Sequence, residues 1–276
     1  MNVEHGIGSI QYRNVTDVKE LVEAVDLQKR VWAQDSISSM QQMRAAILHG
    51  GAVNGAFCEG KLVGFCYGFI GYDGNRPYVG SHMMAIDPAY RDRGIGMRLK
   101  LEQRLWAMEA GYDKIVWTFD PFESRNAYLN LCKLGGTVSR YINDFYGPDA
   151  AGHPSDRFLV EWALSSERAV GAAGGRLAAI DDAADYPRLL AVEYTDGRVT
   201  ALGHQSRKEL IGRSDGLRLP IPRAAGQLKQ AQPDAFKVWQ QQLRDLATAA
   251  FAHGYRAVSC SKSEPEVQDY VLVRQS

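Results

Sequence analysis

The sequence lacks any surplus of charge: its 276 residues carry 32 Lys and Arg against 32 Asp and Glu, a formal net charge of zero with histidine neutral. Nucleic acids and anionic lipid surfaces select for excess positive charge, so neither nucleic acid nor membrane is expected as a partner. Cysteine is scarce too. Cys58, Cys66, Cys132 and Cys260 lie far apart, with no CxxC pair and no histidine at ligand spacing, which argues against a zinc site and a disulfide scaffold and fits a reducing, cytoplasmic setting. No metal is expected. Long apolar runs are missing as well: the most apolar stretch, Val63 to Ile70, is broken by glycines and too short to cross a bilayer. Met1 to Ile10 shows neither a basic nor an apolar leader segment, so no secretory signal is expected there. What the chain does have is 45% apolar and 23% charged residues, enough to bury a core in one or two domains.

Ser9 to Thr16 alternates as a strand does, and Thr16 with Asp17 offers an N-cap before apolar residues at Val18, Leu21, Val22, Val25 and Leu27. A second helix is predicted over Met40 to Leu48, stopped by Gly50 and Gly51. Strands are expected at Ala52–Cys58, Leu62–Tyr72 and Tyr78–Ile86, the first two joined by a short hairpin turn. The clearest helix starts at Ile95, with Leu99 and Trp106 beside Met97, Leu101, Leu105 and Met108 as its apolar positions, and ends at Gly111. Tyr112–Phe119 reads as a buried strand, Ser124–Leu134 as a helix ended by Gly135 and Gly136, and Val138–Phe145 and Arg157–Leu164 as further strands. The small-residue stretch from Ser165 to Arg176 reads as a linker. The predicted organisation is therefore residues 1–165 as one domain, 166–186 as linker, and 187–276 as a smaller C-terminal α+β unit whose main helix carries Phe236, Trp239, Leu243, Leu246 and Phe251.

Chemistry concentrates between Met83 and Gly96. A strand running through Asp87 and Pro88 into Arg91, Asp92, Arg93, Gly94, Ile95 and Gly96 at a helix start presents backbone N–H groups and the positive end of a helix dipole, the equipment for holding a pyrophosphate. Glycines at 94 and 96 let a phosphate approach the backbone, and Arg91 and Arg93 add charged donors. The Walker pattern GxxxxGK[ST] is absent, and GxGxxG fails because Met97, Arg98 and Leu99 follow Gly96.

Arg91, Gly94 and Gly96 fit the [QR]xxGx[GA] signature, and with the element order above residues 9 to 165 resemble the GCN5-related N-acetyltransferase (GNAT) family. TFDPFESRN followed by LNLCKLGG resembles a bacterial branch of that family with an extra C-terminal region. The resemblance implies an α/β (α+β) GNAT fold, a mixed and mostly antiparallel sheet flanked by helices, that binds acetyl-CoA or another acyl-CoA. It implies pyrophosphate on the amides of Arg93, Gly94, Ile95, Gly96 and Met97 with Arg91 and Asp92 in the same turn, and pantetheine pairing along Met84, Ala85 and Ile86. The expected reaction is transfer of the acyl group to the amine of a small molecule or amino acid, with the C-terminal region shaping the acceptor cleft or a homodimer contact. In many relatives a tyrosine of the helix after the fifth strand protonates the departing thiolate. Here Leu131 stands at that position, with Tyr128, Tyr141 or Tyr146 as substitutes. His82 and Asp120 are the candidate bases, and Asn126, which shares a helical face with Asn130, is a candidate for holding the coenzyme. Leu131 also leaves open a second reading, an acyl-CoA-binding module that senses or binds partners without catalysing transfer.

Overall fold

The computed structural model describes residues 9–32, 37–180, 183–195, 198–261 and 264–275. They fall into two compact units, residues 1–117 and 118–276.

In the first unit, strands β1 (Ile10–Asn14), β2 (Ala52–Cys58), β3 (Lys61–Tyr72), β4 (Pro77–Ile86) and β5, which starts at Lys114, lie side by side in chain order. Every pair is antiparallel except β4 with β5. Glu59 and Gly60 both take positive φ between β2 and β3, the twist a two-residue hairpin needs. Helix α1 (Val18–Val31) starts where Asp17 accepts a hydrogen bond from Lys19 N at 2.7 Å, and α2 (Met40–Leu48) where Ser39 accepts from Gln42 N at 3.1 Å. These helices bury Leu21, Leu27 and Met43 against Phe57, Phe65, Tyr67 and Ala85. Each large side chain so buried contributes about 1.5–3 kcal/mol. A separate cluster of Ala56, Val63 and Cys66 with Ile95 and Leu99 packs α3 (Ile95–Glu109) onto the same strands.

Helix α3 departs from the predicted face. Its buried residues are Ile95, Leu99, Lys100, Gln103, Arg104 and Ala107, whereas Leu105 and Met108 are 46% and 40% exposed. The spacing is helical, but beyond Leu99 the inward stripe is polar except for Ala107, so the large apolar residues Leu105 and Met108 mark the wrong side of the last two turns.

In the second unit the strand order is β7 (Arg157–Ala163), β6 (Thr137–Ile142), β11 (Tyr255–Ser261), β12 (Val267–Arg274), β10 (Gly216–Pro222), all antiparallel, with β8 (Leu190–Thr195) and β9 (Arg198–Ser206) forming a separate hairpin. The stretch read as a linker holds a short helix, α5 (Glu167–Ala173), capped by Ser166 and buried through Ala169 and Ala172. Small residues here make a close-packing face. Gly135 takes φ +74°, and a Cβ on it would stand 2.6 Å from Arg168 O. Because β11 pairs with β6 at Ala257↔Val138, residues on both sides of the expected linker share one unit, and the division falls after Trp117. Helices α6 (Ala225–Ala231) and α7 (Pro233–Ala252) complete the unit, α7 burying Phe236, Trp239, Leu243 and Leu246.

The predicted helix Ser124–Leu134 is two segments: one α-turn, α4 (Ser124–Ala127), then a π-helical run from Tyr128 to Lys133. The run closes with Leu134 N donating to Leu129 O at 2.9 Å, five residues back. This winding separates Asn126, which is exposed, from Asn130, which is buried, so the two do not share the face that regular α-helical spacing predicts.

Candidate functional site

Strand β4 runs out through Ile86 into a single 3-10 turn, Pro88–Tyr90, capped by Asp87, whose carboxylate accepts from Ala89 N at 3.1 Å. Asp92 and Gly94 then both adopt left-handed backbone, φ 59° and 75°. Gly94 is the N-cap of α3 and supplies no side-chain acceptor, and no acidic residue occupies the helix's first turn. The first amide to close onto the helix is that of Arg98, which donates to Gly94 O at 3.0 Å. The amides of Ile95, Gly96 and Met97 are therefore left outside the helical ladder, at the positive end of a helix of 15 residues. By contrast α1, α2 and α5 each have one first-turn amide, those of Lys19, Gln42 and Ala169, taken by the side chains of Asp17, Ser39 and Ser166. Arg91, Asp92, Arg93 and Gly94 are exposed, Ile95 anchors the turn in the core, and a Cβ on Gly94 would stand in open space. Such a turn can accept an anion on backbone N–H groups, with Arg91 and Arg93 as further donors.

The strand leading to this turn is irregular at one residue. Tyr67 pairs with Met83 and Gly68 with Ser81, which leaves His82 as the extra residue of a β-bulge. On its other edge β4 pairs with β5 only at Val79↔Ile115 and Gly80↔Val116. From Ser81 onward the two strands part, and the β4 edge that includes Met84, Ala85 and Ile86 has no β5 neighbour. An extended, amide-bearing ligand can pair with such an edge as an added strand would.

Where the strands part sits Lys100. Its Nζ donates to Ser81 Oγ at 2.7 Å and to Gln103 Oε1 at 3.2 Å, and lies 4.0 Å from the centre of the Trp117 ring. Lys100 is only 4% exposed, and burial pushes its pKa down, with the Cys66 thiol acting in the opposite direction. Gln103 Nε2 beside it is buried without a hydrogen-bond partner. Nothing in the sequence around Lys100 singles it out. The available signal was the polar set at 100, 103 and 104, a helical stripe that reads as a solvated face until α3 is seen to bury it.

His82 packs edge-on against Tyr67 and Phe69, with ring centres 6.0 and 5.8 Å away. Desolvation there lowers its pKa from the ordinary value of 6.5, so the imidazole is neutral at pH 7 and can take a proton.

The other candidates belong to residues 118–276. Asp120 Oδ1 accepts from Phe122 N at 2.8 Å, and Arg157 Nη1 stands 3.9 Å from Oδ2. Desolvation raises the Asp120 pKa, while the Phe122 amide and Arg157 act against it. Asp120 thus holds its own loop. Tyr128 and Asn126 are exposed, and Tyr146 is 60% exposed. Tyr141 donates to Asp156 Oδ2 at 2.7 Å, and burial followed by that carboxylate raises its pKa far above the usual phenol value, which removes it as a ready proton donor. Leu131 is fully buried. Among the described residues no group of three or more His, Cys, Asp or Glu is arranged to hold a metal ion, and no helix is long and apolar enough to cross a membrane.

The family model for the acetyltransferase (GNAT) family matches residues 19–135. Similar solved structures include yncA from Salmonella typhimurium, determined with its cofactor acetyl-CoA (17% identity, 58% of this chain and 96% of that one, TM-score 0.49). Another is the ribosomal-protein-S18-alanine N-acetyltransferase of Escherichia coli (16% identity, 58% and 97%, TM-score 0.47). A third is Arabidopsis thaliana Naa50 in complex with a bisubstrate analogue (17% identity, 55% and 97%, TM-score 0.45). A comparison with curated protein sequences finds no match. The signature residues Arg91, Gly94 and Gly96 lie inside residues 19–135, the span that matches the GNAT acetyltransferase family model.

Proposed function

We propose that the protein transfers an acyl group, acetyl by expectation, from an acyl-CoA to the amine of a small molecule or amino acid. The family-model match over residues 19–135 supports acyl-CoA-dependent transfer as the class of chemistry. The observation that carries the reading is the pairing of two features on one strand: an uncapped helix start behind left-handed Gly94, and a β4 edge that β5 abandons after Gly80. The first suits a diphosphate, the second a pantetheine arm, and they are joined by the residues Ile86 to Gly94. In this reading the amides from Arg93 to Met97 take the diphosphate with help from Arg91, and the backbone of Met84 to Ile86 pairs with the arm.

The thioester then lies toward the point where the strands part, beside His82 and Lys100. His82, neutral at pH 7, takes the proton of the attacking amine, and Lys100 with Ser81 supplies N–H and O–H donors toward the carbonyl oxygen as it gains charge. The departing thiolate draws its proton from water, since Leu131 carries no hydroxyl and Tyr141 is locked to Asp156.

The test is thiol release from acetyl-CoA over a panel of small amines. Release above the uncatalysed control with at least one amine is expected, with an acidic limb whose midpoint lies below 6.5, because protonating His82 removes the base. The variant His82→Gln is expected to lose that limb and about 10²–10⁴-fold in rate; an unchanged pH profile would remove His82 from the mechanism. Lys100→Met is expected to lower kcat about 10²–10³-fold while acyl-CoA affinity, measured by calorimetry, stays within a few-fold. Equal kcat in that variant would reduce Lys100 to a packing role. The buried Leu131 favours the second reading, a sensor. Tight acyl-CoA binding with no release above control across the panel would select it.

A further inference from the structure

We propose that Cys132 and Cys260 form a peroxide-reactive dithiol, a site separate from the acyl-transfer reading and independent of it. The two residues are 128 positions apart in sequence, yet their Sγ atoms are 3.3 Å apart. Cys132 sits in the π-helical run and Cys260 in β11, both half-buried, whereas Cys58 and Cys66 are buried.

The surroundings of Cys132 Sγ are those of a thiolate. The backbone N–H of Cys260 donates to it at 3.3 Å, and Ser259 Oγ lies 3.5 Å away. Arg168 bridges the two segments by donating from Nη2 to Leu131 O, at 3.4 Å, and to Val258 O, carbonyls next to Cys132 and Ser259 respectively. Its Nε is buried without a hydrogen-bond partner, so the guanidinium keeps charge that a neighbouring anion balances. The Cys260 thiol first, then Ser259, the Cys260 amide and Arg168, outweigh burial and bring the Cys132 pKa down to about 6.

The chemistry balances with a hydroperoxide as oxidant. The Cys132 thiolate attacks the peroxide, the S–O bond forms as the O–O bond breaks, and the displaced oxyanion takes a proton from water, leaving a sulfenic acid. The Cys260 thiol then attacks that sulfur, forming the S–S bond and expelling water with the thiol's proton.

The test uses the reduced full-length protein and hydrogen peroxide. Two of the four cysteines should be lost to thiol reagents on denaturation, and peptide mapping without reductant should recover one cross-linked pair, Cys132 with Cys260. The variant Cys260→Ser should instead trap Cys132 as a sulfenic acid that a dimedone probe labels, and Cys132→Ser should leave Cys58, Cys66 and Cys260 reduced. Retention of all four thiols under peroxide that fully oxidises free cysteine, or loss spread evenly over the four, would overturn the proposal.

Discussion

Gly94→Glu is expected to abolish acyl-CoA binding, the loss exceeding 100-fold by calorimetry. Two penalties act together. The backbone at residue 94 has φ 75°, where any side chain with a Cβ costs about 1–2 kcal/mol. The new carboxylate then stands at the helix start that is to receive the diphosphate, and two like charges about 4 Å apart in a partly solvated site repel by roughly 4 kcal/mol. Gly94→Ala adds the strain without the charge and should weaken binding far less. A Cβ there meets no neighbouring atom, so both variants should keep the wild-type fold by circular dichroism. Wild-type affinity in Gly94→Glu would refute the phosphate assignment, whatever the assay for transfer reports.

The largest expected loss of stability lies elsewhere, at Asp156. Its carboxylate is 1% exposed and accepts from Tyr141 Oη at 2.7 Å, from Asp144 N at 2.9 Å and from both Arg244 Nη2 and Nε, at 2.8 and 3.2 Å. Asp156→Ala strips a half-buried guanidinium and a half-buried phenol of their acceptor at once. Removing one partner of a buried pair costs about 3–5 kcal/mol, which for a chain of this size lowers the melting temperature by roughly 10 °C. The double variant Asp156→Leu with Arg244→Met should recover most of that loss, because a buried pair is worth little net once neither charge is left alone. A calorimetric melt within 2 °C of wild type, about 0.5–1 kcal/mol, for the single variant would show that water replaces the carboxylate at no cost.

Much of the first unit was readable from spacing alone: α2 and β2 match the predicted Met40–Leu48 and Ala52–Cys58 to the residue, and the turn before α3 was found through Gly94 and Gly96. Local chemistry decides those features, since caps, hairpin glycines and alternating strands act within a few residues of themselves. Lys100 was not readable. Nothing in its neighbours announces that a polar stripe turns inward, because the partners that hold it, Ser81 and Trp117, are brought up by strand pairing. The Cys132–Cys260 contact and the Asp156–Arg244 pair have the same character, each joining segments far apart in the chain. Alanine and glycine between Ser165 and Arg176 read as linker by composition, yet Ala169 and Ala172 pack because small residues also suit close approach of helices. The π-helical run had no sequence signal that α-helical spacing would not also explain.

The bulge at His82 has a consequence for how β4 tolerates change. After it, even-numbered Met84 and Ile86 lie on the face that carries Ile95 and Leu99, while Met83 and Ala85 lie with Leu21 and Phe65. Before it the parity is reversed: odd-numbered Ser81 reaches Lys100 and Cys66 on the α3 face. One surplus residue thus acts as a phase shifter, letting a single strand offer odd positions and then even positions to the same helix. Were Tyr67 to pair with His82 instead, with no residue left over, the rest of the strand would turn inside out and send Met84 and Ile86 into the opposite layer; deleting His82 outright would remove the bulge and leave Ser81 and Met84 on the α3 face.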